Sequence, residues 1–221
     1  MQYASYQLTG DPKIPATVDW NGRRTPVWMQ QLWTTGPYQN YVRANGCGHC
    51  CAAMAARLHG VDIDPHEEYE LCRKLWGAPR ELPNDMGQDH FQTVAGITKV
   101  LTHLGIPAQC CGVAEDGQKD ATGHIIEVLK QGKQVILISD PFRDPGNIFS
   151  TGYHYVMAVG FAENGKILIA NSSVNAAPQG VQLVEPDVIG RALFAGGTAD
   201  MSMTWGEISV LYKGCTYVVV G

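Results

Sequence analysis

The chain has 221 residues, of which 45% are hydrophobic and 17% charged, enough apolar material to bury one sizeable core. A formal charge of −5, from 16 basic and 21 acidic residues with no Lys/Arg cluster beyond Arg23-Arg24, gives no reason to expect a nucleic-acid or anionic-membrane partner. No window approaches the roughly 18 to 20 apolar residues of a membrane span, and Met1-Gln2-Tyr3-Ala4-Ser5-Tyr6 has no basic-then-apolar signal pattern, so a soluble single domain over residues 1–221 is expected.

Up to about Gly36 the chain is rich in Pro and Gly and shows no sustained helical period, which predicts strand fragments and loops packed on a later core. Helical pattern begins at the cysteine cluster, where Cys51, Ala52, Met54, Ala55 and Leu58 recur three and four apart before Gly60, predicting a buried helix with Cys47 at or beside its N-terminus. A second helix is announced by Asp64 as N-cap, Pro65 in the first turn and Glu67 three residues after the cap. A third is expected through Phe91, Val94, Ile97, Leu101 and Leu104 to Gly105, and a fourth from about Thr122 to Gly132.

After Lys133 the runs Gln134 to Ile138, Tyr153 to Phe161, Lys166 to Ala170 and Thr216 to Val220 are β-branched or aromatic and punctuated by turns such as Asn164-Gly165, which predicts strands. Asn175 to Gly197 reads as a long loop or flap with short strands. Helices over about 45–132, then antiparallel strands over about 133–221 without βαβ alternation, predict an α+β fold, a helical lobe packed on a sheet with a cleft where they meet.

Seven cysteines, an odd number that includes the adjacent pairs Cys50-Cys51 and Cys110-Cys111, make a poor disulfide framework and favour a reducing or cytoplasmic compartment, with secretion open if a leader precedes the chain. No second CxxC and no His pair at finger spacing completes a zinc set, so no metal is expected.

A thiol attacks as thiolate, and a free cysteine with a pKa near 8.5 needs a positive field and a base. Placing Cys47 before an Ala-rich helix supplies the field, while Gly46 and Gly48 leave room for a substrate carbonyl whose oxyanion the backbone N–H groups can hold. Among seven histidines the best base is His154, at the start of a strand that must lie in the core; the other six fall on helices or their ends, where solvent-facing positions need no function. In a hairpin turning at Asn164-Gly165, Asn171 returns to the end of the sheet where His154 sits, and its amide can fix the imidazole tautomer. The ordinary explanations stand beside these: a core His bonded to backbone, and an Asn that terminates a strand.

Gly46-Cys47-Gly48 followed by Ala52-Ala53-Met54, then Gly152-x-His154-Tyr155-Val156 running to Val159-Gly160-Phe161, then Lys166-Ile167-Leu168-Ile169-Ala170-Asn171, resembles cysteine peptidase family thirty-nine, the bacteriocin-leader-processing type, and its stand-alone relatives within the papain-like superfamily. The resemblance runs roughly from Pro26 to the end and takes in Leu129-x-x-Gly132-Lys133-x-Val135-Ile136 and Met203-Thr204-Trp205-Gly206-Glu207-Ile208. It implies a papain-like fold, a peptide or amide substrate, and hydrolysis through a thioester without a metal or organic cofactor; acyl transfer to an amine uses the same residues. It also implies Cys47 as nucleophile, His154 as base and then acid, Asn171 as orienting residue, and an upstream glutamine as oxyanion donor. Gln30 in Val27-Trp28-Met29-Gln30 is the first choice, with Gln31 and Gln39 open.

The chain departs from the family where His49 replaces a frequent Pro and where Asn171-Ser172 replaces the more usual Asp-Pro. The 107 residues between Cys47 and His154 fall short of the roughly 130 to 150 of papain and cathepsins. Trp28, Trp33, Tyr38 and Trp205 are candidate cleft walls or packing residues. A rival reading remains, because Cys47-Gly48-His49-Cys50 is also the dithiol motif of disulfide isomerases, although the preceding segment Tyr38 to Gly46 is polar rather than a buried strand. A catalytically silent domain of the same fold is the third reading.

Overall fold

β-Branched strands buried on both faces build the molecule around one six-stranded sheet. The computed structural model describes residues 2–33, 39–76, 94–112, 118–140, 146, 148–192 and 216–221. In chain order the elements are β1 Ser5–Asp11, β2 Ile14–Trp20, β3 Arg23–Val27, a 3-10 turn Gln30–Leu32, α1 Gln39–Asn45, α2 Cys47–Leu58, α3 Pro65–Trp76, α4 Val94–His103, β4 Ala108–Cys111, α5 Gln118–Lys130, β5 Gln134–Ser139, β6 His154–Phe161, β7 Ile167–Ala170, β8 Val181–Val184, α6 Pro186–Ala192 and β9 Tyr217–Val220. No helix among the described residues is long and apolar enough to cross a membrane.

The large sheet has the order β4-β9-β5-β6-β7-β8 with every neighbouring pair antiparallel. Because side chains alternate across a strand, each of its central strands feeds two cores. Tyr155, Met157 and Val159 of β6 join Ile136 and Ile138 of β5 in the layer shared with α2 and α4. Val156 and Ala158 join Val135 and Leu137 in the layer shared with α5 and α6. All eight residues of β6 are buried, which makes this strand the centre of the molecule.

The fold is α+β, as expected, but its layers differ from a helical lobe set on one face of a sheet. Helices cover both faces, and β4 lies within the stretch expected to be helical. The N-terminus, expected as strand fragments and loops, forms a three-stranded antiparallel sheet β1-β2-β3 with a register shift between Leu8 and Asp11. It docks on the end of β6: Ala4 N–H donates to Phe161 C=O at 2.7 Å, and a side chain at Gly160 would stand 3.4 Å from Ala4 and 3.5 Å from Trp20. Both are ordinary packing distances, so the N-terminal sheet lies in van der Waals range of β6. The stretch expected as a long loop after Asn175 contains β8 and also the short helix α6, which its Gly and Ala content concealed.

The start of α3 follows the capping-box reading bond for bond. Asp64 Oδ1 accepts from the N–H of His66 and of Glu67, both at 2.8 Å, and Glu67 Oε2 accepts from the N–H of Asp64 at 2.9 Å. The third helix begins at Val94 among the described residues; Phe91, Tyr38 and Trp205 lie outside them. Trp28 is a core residue rather than a cleft wall, with the Arg57 guanidinium 5.4 Å from its ring centroid and Trp33 edge-on at 6.3 Å.

Cys110 is disulfide-bonded, while Cys47, Cys50, Cys51, Cys72 and Cys111 are free thiols. The bond at Cys110 departs from the expectation that the cysteines make a poor disulfide framework.

Replacing Asp64 by Ala removes both accepted bonds at the α3 cap and should lower stability by about 1 kcal/mol. Urea unfolding should show this as a lower midpoint at unchanged slope; an unchanged midpoint would mean the cap contributes nothing to the folded state.

Candidate active site

The hairpin register decides which polar side chains meet. Met157 of β6 stands opposite Ala170 of β7, so Asn171, one residue on, continues on the face of Val156 and, two residues back, of His154. The turn needed for this has Gly165 at φ 81 with Asn164 Oδ1 accepting from Lys166 N–H, the left-handed position that Asn-Gly anticipates. His154 and Asn171 are accordingly joined, Nε2 to Oδ1, at 2.9 Å. His154 is 4% exposed and Asn171 fully buried.

The Asn171 amide has no freedom to flip. Its Nδ2 faces the carbonyl of Phe149 at 3.0 Å and Oε1 of Gln182 at 2.9 Å, both acceptors. Its Oδ1 meets the N–H of Ser173 at 2.9 Å. An acceptor therefore faces His154 Nε2, which must carry the proton, and the lone pair is left on Nδ1. Gln182 is in turn held by donation from Nε2 to the carbonyl of Ile148 at 2.7 Å. Burial pushes the imidazole down to about 4 against a smaller upward pull from the Asn171 bond, so the ring is neutral over the physiological range.

Cys47 opens α2, whose N-cap residue Gly46 makes no side-chain cap bond. Gly46 is required by space: a Cβ there would lie 2.3 Å from the carbonyl oxygen of Val42 in α1. The sulfur is half-buried and burial raises its thiol. Opposing this are backbone N–H groups, led by that of Tyr155 and followed by those of Gly48 and Cys47 itself. Tyr155 is the residue next to His154, so one end of β6 meets the Cys47 sulfur through its backbone and Asn171 through its first side chain.

Of the three glutamines, Gln30 lies between these parts. It is buried, its Nε2 points to Ala44 C=O at 3.5 Å, and its Oε1 faces Ser172 Oγ at 3.4 Å. Its own N–H donates to Ser172 C=O at 3.0 Å. Gln31 uses its Oε1 to accept from Val174 N–H at 3.2 Å, and Gln39 starts α1.

Several residues at this site carried no signal in the sequence. Gln182 is a polar residue in a short alternating strand, and only its contact with Asn171 distinguishes it. Ser172, Ser173 and Phe149 act through backbone or hydroxyl groups that residue type does not advertise. His49 corrects the expectation of solvent-facing histidines: it is 1% exposed and bonded through Nδ1 to Glu68. His59 bonds Gln134 at 2.7 Å and His124 bonds the Tyr217 hydroxyl at 2.6 Å. Cys50 and Cys51 are both wholly buried.

Compared with known families, residues 27–186 match the one described as the Peptidase_C39-like family. No curated protein matches the chain.

The depressed His154 pKa carries a stability consequence. The ring gains its proton near 6.5 in the unfolded chain but only near 4 when folded, so between these values the unfolded state binds more protons. The corresponding stability is present above about pH 6.5 and lost as pH falls through about 4, amounting to roughly 3 kcal/mol. Urea melts from pH 7 to 4 should show a steeper decline for the native chain than for His154→Gln; equal declines would contradict a neutral buried ring.

Proposed function

Because the chain belongs to the Peptidase_C39-like family, we propose that it is a papain-like cysteine peptidase or amidase that cleaves a peptide or amide bond through a thioester on Cys47. The observation that supports this most directly is the pairing at the start of β6: Asn171 holds His154 Nε2 at 2.9 Å while the N–H of the next residue, Tyr155, donates to the Cys47 sulfur.

In this reading His154 Nδ1 takes the thiol proton as Cys47 attacks the substrate carbonyl. The resting pair is neutral on both sides, since burial raises the thiol and lowers the imidazole. Charge therefore develops during attack, where the N–H groups at the start of α2 and the Gln30 side chain can stabilise the oxyanion. His154 then donates its proton to the leaving amine, the C–N bond breaks, and Cys47 is left acylated. Water attacks the thioester with His154 again as base, which releases the acid and restores the thiol. Acyl transfer differs only in that an amine replaces water.

The dithiol reading is less well supported. In the structure the motif follows helix α1 rather than a buried strand, and His49 between the two cysteines is engaged with Glu68 rather than turned to Cys47.

Incubation with a peptide library should give an acyl adduct on Cys47 by intact mass and peptide mapping. Cys47→Ala should abolish turnover, and His154→Ala should reduce it by on the order of 10³-fold or more. Gln30→Ala should lower kcat by roughly 10²-fold, the ordinary worth of one oxyanion donor. Disulfide exchange that disappears in Cys50→Ser, with no acyl adduct under any condition, would sink the peptidase reading and favour the dithiol one.

A further inference from the structure

Beneath α2 lies a second chemically rich cluster that hydrolysis at Cys47 does not use. Glu68 and Cys72 are four residues apart on α3 and so project from one face of that helix, while His49 reaches across from the first turn of α2. His49 Nδ1 bonds Glu68 Oε2, and Cys72 Sγ bonds Glu68 Oε1 at 3.3 Å. All three residues are buried, and the His49 ring is walled by Tyr69, edge-on at 5.0 Å between centroids.

We propose that His49, Glu68 and Cys72 form a binding site for a zinc-class divalent cation that joins α2 to α3. One imidazole nitrogen, one carboxylate oxygen and one sulfur all lie within 4.8 Å of one another. Around a tetrahedral ion with bonds of about 2.0 to 2.3 Å, donor atoms stand roughly 3.5 Å apart, so small side-chain rotations close the set. The mixture of nitrogen, oxygen and sulfur suits zinc better than magnesium or calcium, which take oxygen donors.

Charge points the same way. A fully buried carboxylate is costly without compensation, and here its neighbours are an imidazole and a thiol. A divalent ion held by one carboxylate, one thiolate and a neutral imidazole makes a site of zero net charge, which a dry interior tolerates. Binding releases the Cys72 proton to solvent, as metal binding to any thiol does. The expectation of no metal rested on the spacing of Cys and His along the sequence; these donors come from two helices whose contact is tertiary. The site is independent of whether Cys47 is a peptidase nucleophile.

Cobalt(II) titration of the chelator-treated full chain under reducing, anaerobic conditions tests this. A Cys47→Ser background removes the active-site thiol from the signal. The expected result is a near-ultraviolet thiolate-to-cobalt band saturating at one equivalent, displaced by zinc, at least halved in Cys72→Ser and weakened in Glu68→Gln. Zinc should also raise the melting temperature of the unsubstituted chain by about 5 °C or more. Should Cys72→Ser fail to fold, Cys72→Ala preserves the apolar packing and must lose the same band. No band at saturating cobalt, or a band unchanged in both Cys72 variants, overturns the proposal and leaves a metal-free His49–Glu68 pair.

Discussion

The hydrogen bond from His154 Nε2 to Asn171 Oδ1 is the constraint on which the candidate active site depends. It forms only if β6 and β7 pair in one register, because a slip of one residue would send Asn171 to the opposite face of the sheet. The register is set in turn by the Asn164-Gly165 turn. The bulge between Ala158 and Gly160 then adjusts how far β7 runs along β6. What lies past β7 serves the same bond: Gly180, at φ 74 and packed against Pro15 and Val27, accepts from Asn171 N–H at 2.9 Å and leads into the strand that carries Gln182. The fold and the candidate site therefore share this contact.

Burial makes this contact strong and also sets the proton state. With the ring inside the protein, desolvation outweighs the stabilisation that the Asn171 bond gives to the charged form, and the imidazole rests neutral. An amide suits such a site better than a carboxylate would, since it fixes the tautomer without drawing a proton onto the ring. An aspartate at the same place would oppose the desolvation of His154 and would also find Phe149 C=O and Gln182 Oε1, two acceptors, where Asn171 now places its donors. The presence of Asn rather than Asp fits the surrounding hydrogen-bond network.

The parts legible in the sequence are those where short-range chemistry decides the outcome. The α3 capping box, the glycine after each of α4 and α5, the Cys47 helix and the β6–β7 hairpin are all written in residues a few positions apart. The misses share the opposite property. The N-terminal sheet is stabilised by docking on β6 as much as by its own pattern, and β1 is exposed along its whole length, so it carries little hydrophobic alternation. His49 looked like a helix-end residue because its partner is nineteen positions away on another helix. Gln182 and Gln30 acquire meaning only through side chains brought to them by the fold.

The run Cys47-Gly48-His49-Cys50 shows why local spelling misleads here. At about 100° per residue, positions 47 and 49 point to nearly opposite sides of α2, while 47 and 50 lie on adjacent parts of one face. The helix therefore sends Cys47 towards β6 and His49 towards α3, and it sinks Cys50 into the core beneath. In a dithiol enzyme the histidine between the cysteines supports the attacking thiolate, and the second thiol must turn to resolve a mixed disulfide. The first condition does not hold for a histidine engaged with Glu68 on another helix. The four residues that spell one motif in the sequence are divided by the helix among a candidate nucleophile, a contact between helices and a packing group.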